Sequence, residues 1–188
     1  LTFSLAVCLA NCGAAREQIR TESLTGREGV FQEVITADGP PPGFADVAVK
    51  ASLKTHLPGE GAVLESGDSP HGRPFYHFTL NIDGQAVTWK VPGQRENLPA
   101  GNGRHFSEEG EGMRYVLEKK IRLHAGAYSI FLGVPEENYT ETMTVNLQEG
   151  KSYTLKLQPI YPRYKWGHPA SQLGLLGFNA KLQSEDHK

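Results

Sequence analysis

At 188 residues the chain is long enough for one domain with a sizeable core, and its 19 basic and 21 acidic side chains leave a net charge of only −2. Nothing in that balance suggests a nucleic-acid footprint, and nucleic acid is not an expected partner. The 21 glycines, 12 prolines and 38% apolar content suit a β-protein rich in turns better than a helix bundle. Both cysteines, Cys8 and Cys12, fall in the first twelve residues, so neither a disulfide framework nor a cysteine-based zinc site across the fold is expected.

Residues 1–10 form an uncharged apolar run of signal-peptide length, too short to span about 30 Å of hydrocarbon as a helix. With no initiator Met and no basic segment before the run, the sequence is expected to begin inside a signal. Leu9-Ala10-Asn11-Cys12-Gly13 then resembles the lipobox of bacterial lipoproteins, an aliphatic residue, a small residue, a third residue usually small, and the cysteine that is lipidated. Asn11 stands where that family usually has Gly, Ala or Ser, and Leu5-Ala6-Val7-Cys8 is a poorer second match. The resemblance implies acylation of Cys12, membrane lipid as a partner, and residence in the bacterial cell envelope. Gly13 in place of Asp implies the outer membrane, with the domain facing the periplasm. Acyl chains contribute about 0.8 kcal/mol per buried CH₂, so several of them hold a domain at a bilayer without a transmembrane helix.

Two alternatives stay open. Gly13-Ala14-Ala15 offers a small-x-small pattern for ordinary signal cleavage, which would remove both cysteines and leave an exported soluble protein. Residues 1–15 could also be a buried segment of a cytosolic protein with two inert thiols. Residues 13–29 are polar, with Ile19 and Leu24 as their only large aliphatics, and read as a flexible, transiently helical tether. The expected division is signal and lipobox over 1–12, tether over 13–29, a single β-sandwich domain over 30–182, and a disordered tail over 183–188.

From Phe31 onward the dominant period is two. Residues 31–36 are a weak strand candidate, and 45–55 alternates Val47, Val49, Ala51 and Leu53 against polar neighbours. In "FYHFTLNIDGQAVTWKV", residues 75–91, Asp83-Gly84 is a strong type I′ hairpin signal. The two-residue loop pairs Ile82 with Gln85, Leu80 with Val87, Phe78 with Trp89 and Tyr76 with Val91 on one face, and His77 with Lys90 on the other. Residues 92–113 are glycine-rich and poor in aliphatics, which reads as a long mobile loop. Tyr115, Leu117, Ile121 and Leu123 share a face that Lys119 interrupts. A turn at Ala125-Gly126, an alternating stretch to Leu147, and a return through Tyr153, Leu155 and Leu157 follow, with Pro159 and Pro162 ending regular structure. A Gly-rich apolar stretch near 174–182 offers a last strand. About seven or eight strands result, an all-β pattern expected to form an antiparallel β-sandwich.

Leu123-x-Ala125-Gly126-x-Tyr128-x-Ile130 and Val145-x-Leu147-x-x-Gly150-x-x-Tyr153-x-Leu155-x-Leu157 resemble the second half of small immunoglobulin-like or transthyretin-like sandwich domains, the PEGA and carboxypeptidase-regulatory-like modules of exported bacterial proteins. The resemblance covers about 35 residues and implies an accessory module that places or binds something.

No nucleophile elbow, His-Glu-x-x-His or phosphate-binding glycine loop is present in the sequence. The seven histidines read as surface residues. His71 and His77 with Asp68 could be drawn as a metal site, but Lys90 opposite His77 would repel a divalent cation. Glu108-Glu109 and Glu136-Glu137 are expected in solvated turns, pointing apart. The sites set above background are Tyr161, Tyr164 and Trp166, interleaved with Arg163 and Lys165, able to stack on sugar rings or on a partner's apolar patch, or else to cap the core. The expected function is thus a non-enzymatic envelope lipoprotein without a cofactor, binding or assembling another envelope protein. A carbohydrate-binding module is the alternative, and a metal-dependent hydrolase around His71, His77 and His105 a third reading.

Overall fold

Period-two patterning becomes ladder pairing almost wherever it is found. The computed structural model describes residues 7–35, with side chains from Gly13 onward, and residues 38–59, 69–99, 107–163 and 169–185. It contains α1 (Val7–Glu22), β1 (Phe31–Glu33), β2 (Phe44–Thr55), β3 (Phe75–Ile82), β4 (Gln85–Leu98), β5 (Gly110–His124), β6 (Gly126–Val134), β7 (Tyr139–Leu147), β8 (Ser152–Ile160) and β9 (Gly177–Glu185). Two 3₁₀ turns, Pro135–Glu137 and Ala170–Leu173, interrupt the strands.

The β3–β4 hairpin has the register its turn dictates, Ile82 opposite Gln85 through Tyr76 opposite Val91, with His77 opposite Lys90. Asp83 and Gly84 take φ of 46° and 93°, the positive values a type I′ turn requires. The Asp83 carboxylate also accepts from Ser129 N–H at 2.9 Å, tying the turn to β6.

Beyond Val91 the expected mobile loop is strand at both ends, over 92–98 and 110–113, while residues 100–106 lie outside the described residues. β4 pairs with β3 as far as Pro92, bends, and pairs with β5 from Gly93↔Tyr115 to Leu98↔Gly110. Two of the glycines there, Gly93 and Gly112, serve clearance. A Cβ on Gly93 would lie 2.6 Å from Met113 Cε and 2.7 Å from Tyr115 Cε1, and one on Gly112 would lie 2.4 Å from the Thr55 carbonyl oxygen. At Gly112 the obstacle is backbone and leaves no room for a side chain, whereas at Gly93 the neighbouring side chains would have to shift.

The strands form one nine-stranded sheet in the order β7-β6-β3-β4-β5-β2-β8-β9, with β1 on β5. The chain is all-β outside α1, as expected. Pairing is mixed rather than antiparallel throughout, because β2 and β8 run parallel from Asp46↔Ser152 to Ala51↔Leu157. The sheet curls until it nearly closes, with the Tyr139 and Phe178 rings of edge strands β7 and β9 5.1 Å apart. The inward residues make one core, including Val47, Leu53, Tyr76, Leu80, Ile121, Ile130 and Leu155, each almost wholly buried. Each such aliphatic contributes roughly 1.5–3 kcal/mol.

Lys119, the interruption on β5, has a structural reason. β4 pairs with residues 110–115 of β5 and β1 with 121–123, so Lys119 stands in the gap between two neighbours on the same side. Its ammonium reaches Glu33 Oε2 at 3.3 Å, and the Trp89 indole donates to Glu33 Oε1 at 2.7 Å.

Three boundaries differ from expectation. Residues 13–29, expected as a tether, lie against the body. Ile19 on α1 is buried over Gly133, the Asn81 amide donates to Glu22 O at 2.8 Å, and Gly26 and Arg27 N–H both donate to Gly84 O. Pro159 falls within β8, opposite Phe178, rather than ending it. Residues 183–185, expected in a disordered tail, complete β9, with Glu185 opposite Ser152.

Candidate binding groove

Even-numbered residues of β2, β5 and β8 face away from the core, and where the sheet curves they line a groove of about 760 Å³. Its floor carries Ser52, Val116 and Gln158, with the cross-strand ion pair Lys50–Glu118 at 3.0 Å and Lys156 beside them. Val116 is 57% exposed, an apolar side chain on the β5 flank of the floor, beside Ser52. Leu98, Glu108, Pro159 and Tyr161 form the walls.

One wall is fixed by a charge network that joins residues far apart in sequence. Lys54 belongs to the outward-facing set on β2 yet is fully buried, its stem lying over Gly112. Its ammonium donates to Glu108 O at 3.0 Å and Gly110 O at 2.6 Å and lies 3.7 Å from Glu96 Oε2. Arg114 donates to Glu96 Oε2 through Nε and Nη2, at 3.0 and 2.8 Å, and to Glu108 Oε2 through Nη1 at 2.6 Å. The Tyr161 hydroxyl accepts from Lys54 N–H at 2.8 Å and donates to Glu108 Oε1 at 2.8 Å. Two cations thus meet two carboxylates, and burial is offset by hydrogen bonds on every charge. Burial pushes Lys54 below the usual lysine range, with Glu96 and Glu108 opposing that shift. Burial works against the Arg114 charge, but hydrogen bonds to Glu96 and Glu108 carry its pKa above the ordinary value. Burial, reinforced by Glu108, holds the Tyr161 hydroxyl protonated far above its normal range.

Of the residues singled out from sequence, Tyr161 stands in this wall with its hydroxyl engaged, and Arg163 is exposed just beyond. Tyr164, Lys165 and Trp166 lie outside the described residues. Cys12 falls on α1, its side chain outside the described set. Glu108, expected in a solvated turn, belongs to the network, and Glu109 is buried. No local signal marks Glu96, Glu108 or Lys54, because their partners are brought together by β4–β5 pairing and by the approach of the 107–110 segment to β2.

A second polar cluster corrects two further expectations. Glu136 and Glu137 sit on a 3₁₀ turn rather than an extended chain, and each takes a histidine. Glu136 Oε1 accepts from His77 Nδ1 at 2.7 Å, and Glu137 Oε1 lies 3.1 Å from His71 Nε2 and accepts from the Tyr76 hydroxyl. His56 and His71 are buried rather than surface residues, their rings edge-on at 5.2 Å. Asp68 and His105 lie outside the described residues. Burial, then the neighbouring Glu137, raises the Tyr76 pKa far above normal.

Fold and site together define a predominantly β chain with a surface groove walled on one side by a hydrogen-bonded charge network. No family model matches it, and no curated protein and no solved structure matches it either.

Proposed function

We propose that the protein is a cell-envelope lipoprotein, a non-catalytic binding or assembly module held at a membrane surface by acyl chains on Cys12. The Leu9–Cys12 sequence after an uncharged apolar run supports the anchor and an outer-membrane address facing the periplasm. The groove supports the binding role and is the single observation that carries it. It combines the exposed apolar Val116 with charges of both signs, Lys50, Glu118 and Lys156, a surface suited to a segment of another envelope protein. The accessory character of the immunoglobulin-like or transthyretin-like modules that residues 123–157 resemble agrees with this reading.

Glycan binding is the second reading, favoured by the Tyr161 ring beside the groove and by Tyr164 and Trp166 just after it in sequence. Two experiments test the proposal. The chain made in a bacterial host should carry a diacylglycerol-sized adduct and partition into detergent, both lost in Cys12→Ala. Cross-linking in the envelope should trap a specific protein partner, lost in Val116→Glu. Trp fluorescence that responds to glycans, with no protein cross-link, would move the second reading to the front.

A further inference from the structure

A cleft of about 780 Å³ lies between α1, the segment around Ser69–Arg73 and the Pro135–Asn138 turn, apart from the groove. Three guanidinium groups line it, those of Arg16, Arg20 and Arg73. Among its described lining residues the one carboxylate, Glu136, already accepts from His77 with both oxygens, Oε1 from Nδ1 and Oε2 from the backbone N–H. Arg16 donates to a neutral partner, Asn138 Oδ1, at 2.7 Å. Arg73 has no carboxylate within ion-pair distance among the described residues. Arg20 pairs with Glu17 at 2.6 Å, but both side chains are largely exposed, 72% and 62%, so that pair exchanges readily with another anion. Among the described residues the cleft therefore holds more positive than negative charge, in groups whose planar forks match phosphate oxygens.

Its place on the chain gives this excess a direction. Cys12, Arg16 and Arg20 recur every four residues on α1 and share one stripe of the helix. Arg16 lies only about 6 Å along the axis from Cys12. Acyl chains on Cys12 would bring the mouth of the cleft to the depth of lipid phosphates, where each basic side chain adds to attraction for an anionic leaflet.

We propose that this cleft is a phosphate-binding site, read by Arg16, Arg20 and Arg73, whose ligand is the headgroup phosphate of an anionic lipid. The lipid source rests on the membrane-anchored reading; the phosphate chemistry does not. The test uses the full chain carrying Cys12→Ser, so that acylation contributes nothing to vesicle binding. It should co-float with phosphatidylcholine vesicles containing phosphatidylglycerol and not with phosphatidylcholine alone, and inorganic phosphate should compete. Arg16→Gln and Arg73→Gln should each weaken binding about fivefold. Arg16→Lys should retain part of the loss, and Lys181→Gln, on β9, should leave binding unchanged. Circular dichroism establishes that each variant is folded. Arginine-dependent stabilisation by inorganic phosphate without vesicle binding would support the site and assign it to a soluble phosphate. Binding of neither probe, or equal binding by the arginine variants, would overturn the site, while the mass of the wild-type chain reports on Cys12 independently.

Discussion

Lys54 shows how a buried charge becomes tolerable. Its ammonium has two carbonyl partners and a nearby carboxylate, so removing it leaves Glu96 and Glu108 sharing Arg114 alone. Lys54→Ala is expected to cost about 3 kcal/mol of stability, read from urea denaturation. Gly112→Ala, forcing a Cβ against the Thr55 carbonyl, should cost about 2 kcal/mol in the same assay. Asp46 gives a pH signature. Burial works against its charge, but hydrogen bonds to Arg122 and Lys120, at 2.7 and 2.8 Å, hold its carboxyl below the ordinary value of 3.8. A depressed folded pKa contributes stability above the unfolded value and loses it as pH falls through the folded one. Asp46→Asn should therefore be less stable than wild type at neutral pH, with the gap closing as pH drops below about 4. None of these three partnerships could be read from sequence. Alternation states which face a residue takes, and Lys54 and Asp46 lie on the outward face yet are buried, Lys54 against the 108–110 backbone and Asp46 with Lys120 and Arg122 of β5.

Elements were legible where local chemistry dictates them. Asp83-Gly84 fixes a turn, the turn fixes a register, and every cross-strand pair from Tyr76 to Val91 follows. The strand ends at 92–98 and 110–113 were not legible because glycine signals two opposite things, freedom in a loop and clearance in a crowded strand, and only the neighbours distinguish them. α1 was misread because one buried aliphatic, Ile19, is too little periodicity to reveal a docking face. One buried aliphatic and a few polar contacts, Asn81 to Glu22 and Arg16 to Asn138, leave the helix separable from the sheet. Gly133→Leu would fill the space Ile19 Cγ1 occupies, 3.0 Å from a Cβ there. Hydrogen exchange should show residues 13–22 losing protection while β2 amides stay protected.

At the scale of the whole molecule, all-β character was evident in the sequence and strand order was not, since period-two patterns name faces but never neighbours. The last strand carries consequences out of proportion to its plain sequence. β9 covers the whole length of β8, and truncation after Ile160 would leave a nine-residue strand with one long unpaired edge. Such a chain should form large aggregates on size-exclusion chromatography where the full chain does not.

The parallel join between β2 and β8 also bears on how the chain is made. A strand laid down early has its inner neighbour, β5, available after some tens of residues, but its other neighbour emerges roughly a hundred residues later. Throughout that interval of synthesis the backbone donors and acceptors of 46–51 that point toward the place of β8 face solvent or whatever else is near. The protein thus acquires its final stability in one late step, when the C-terminal strands arrive, and a ribosome stalled before Ser152 would hold a half-built sheet in need of a chaperone.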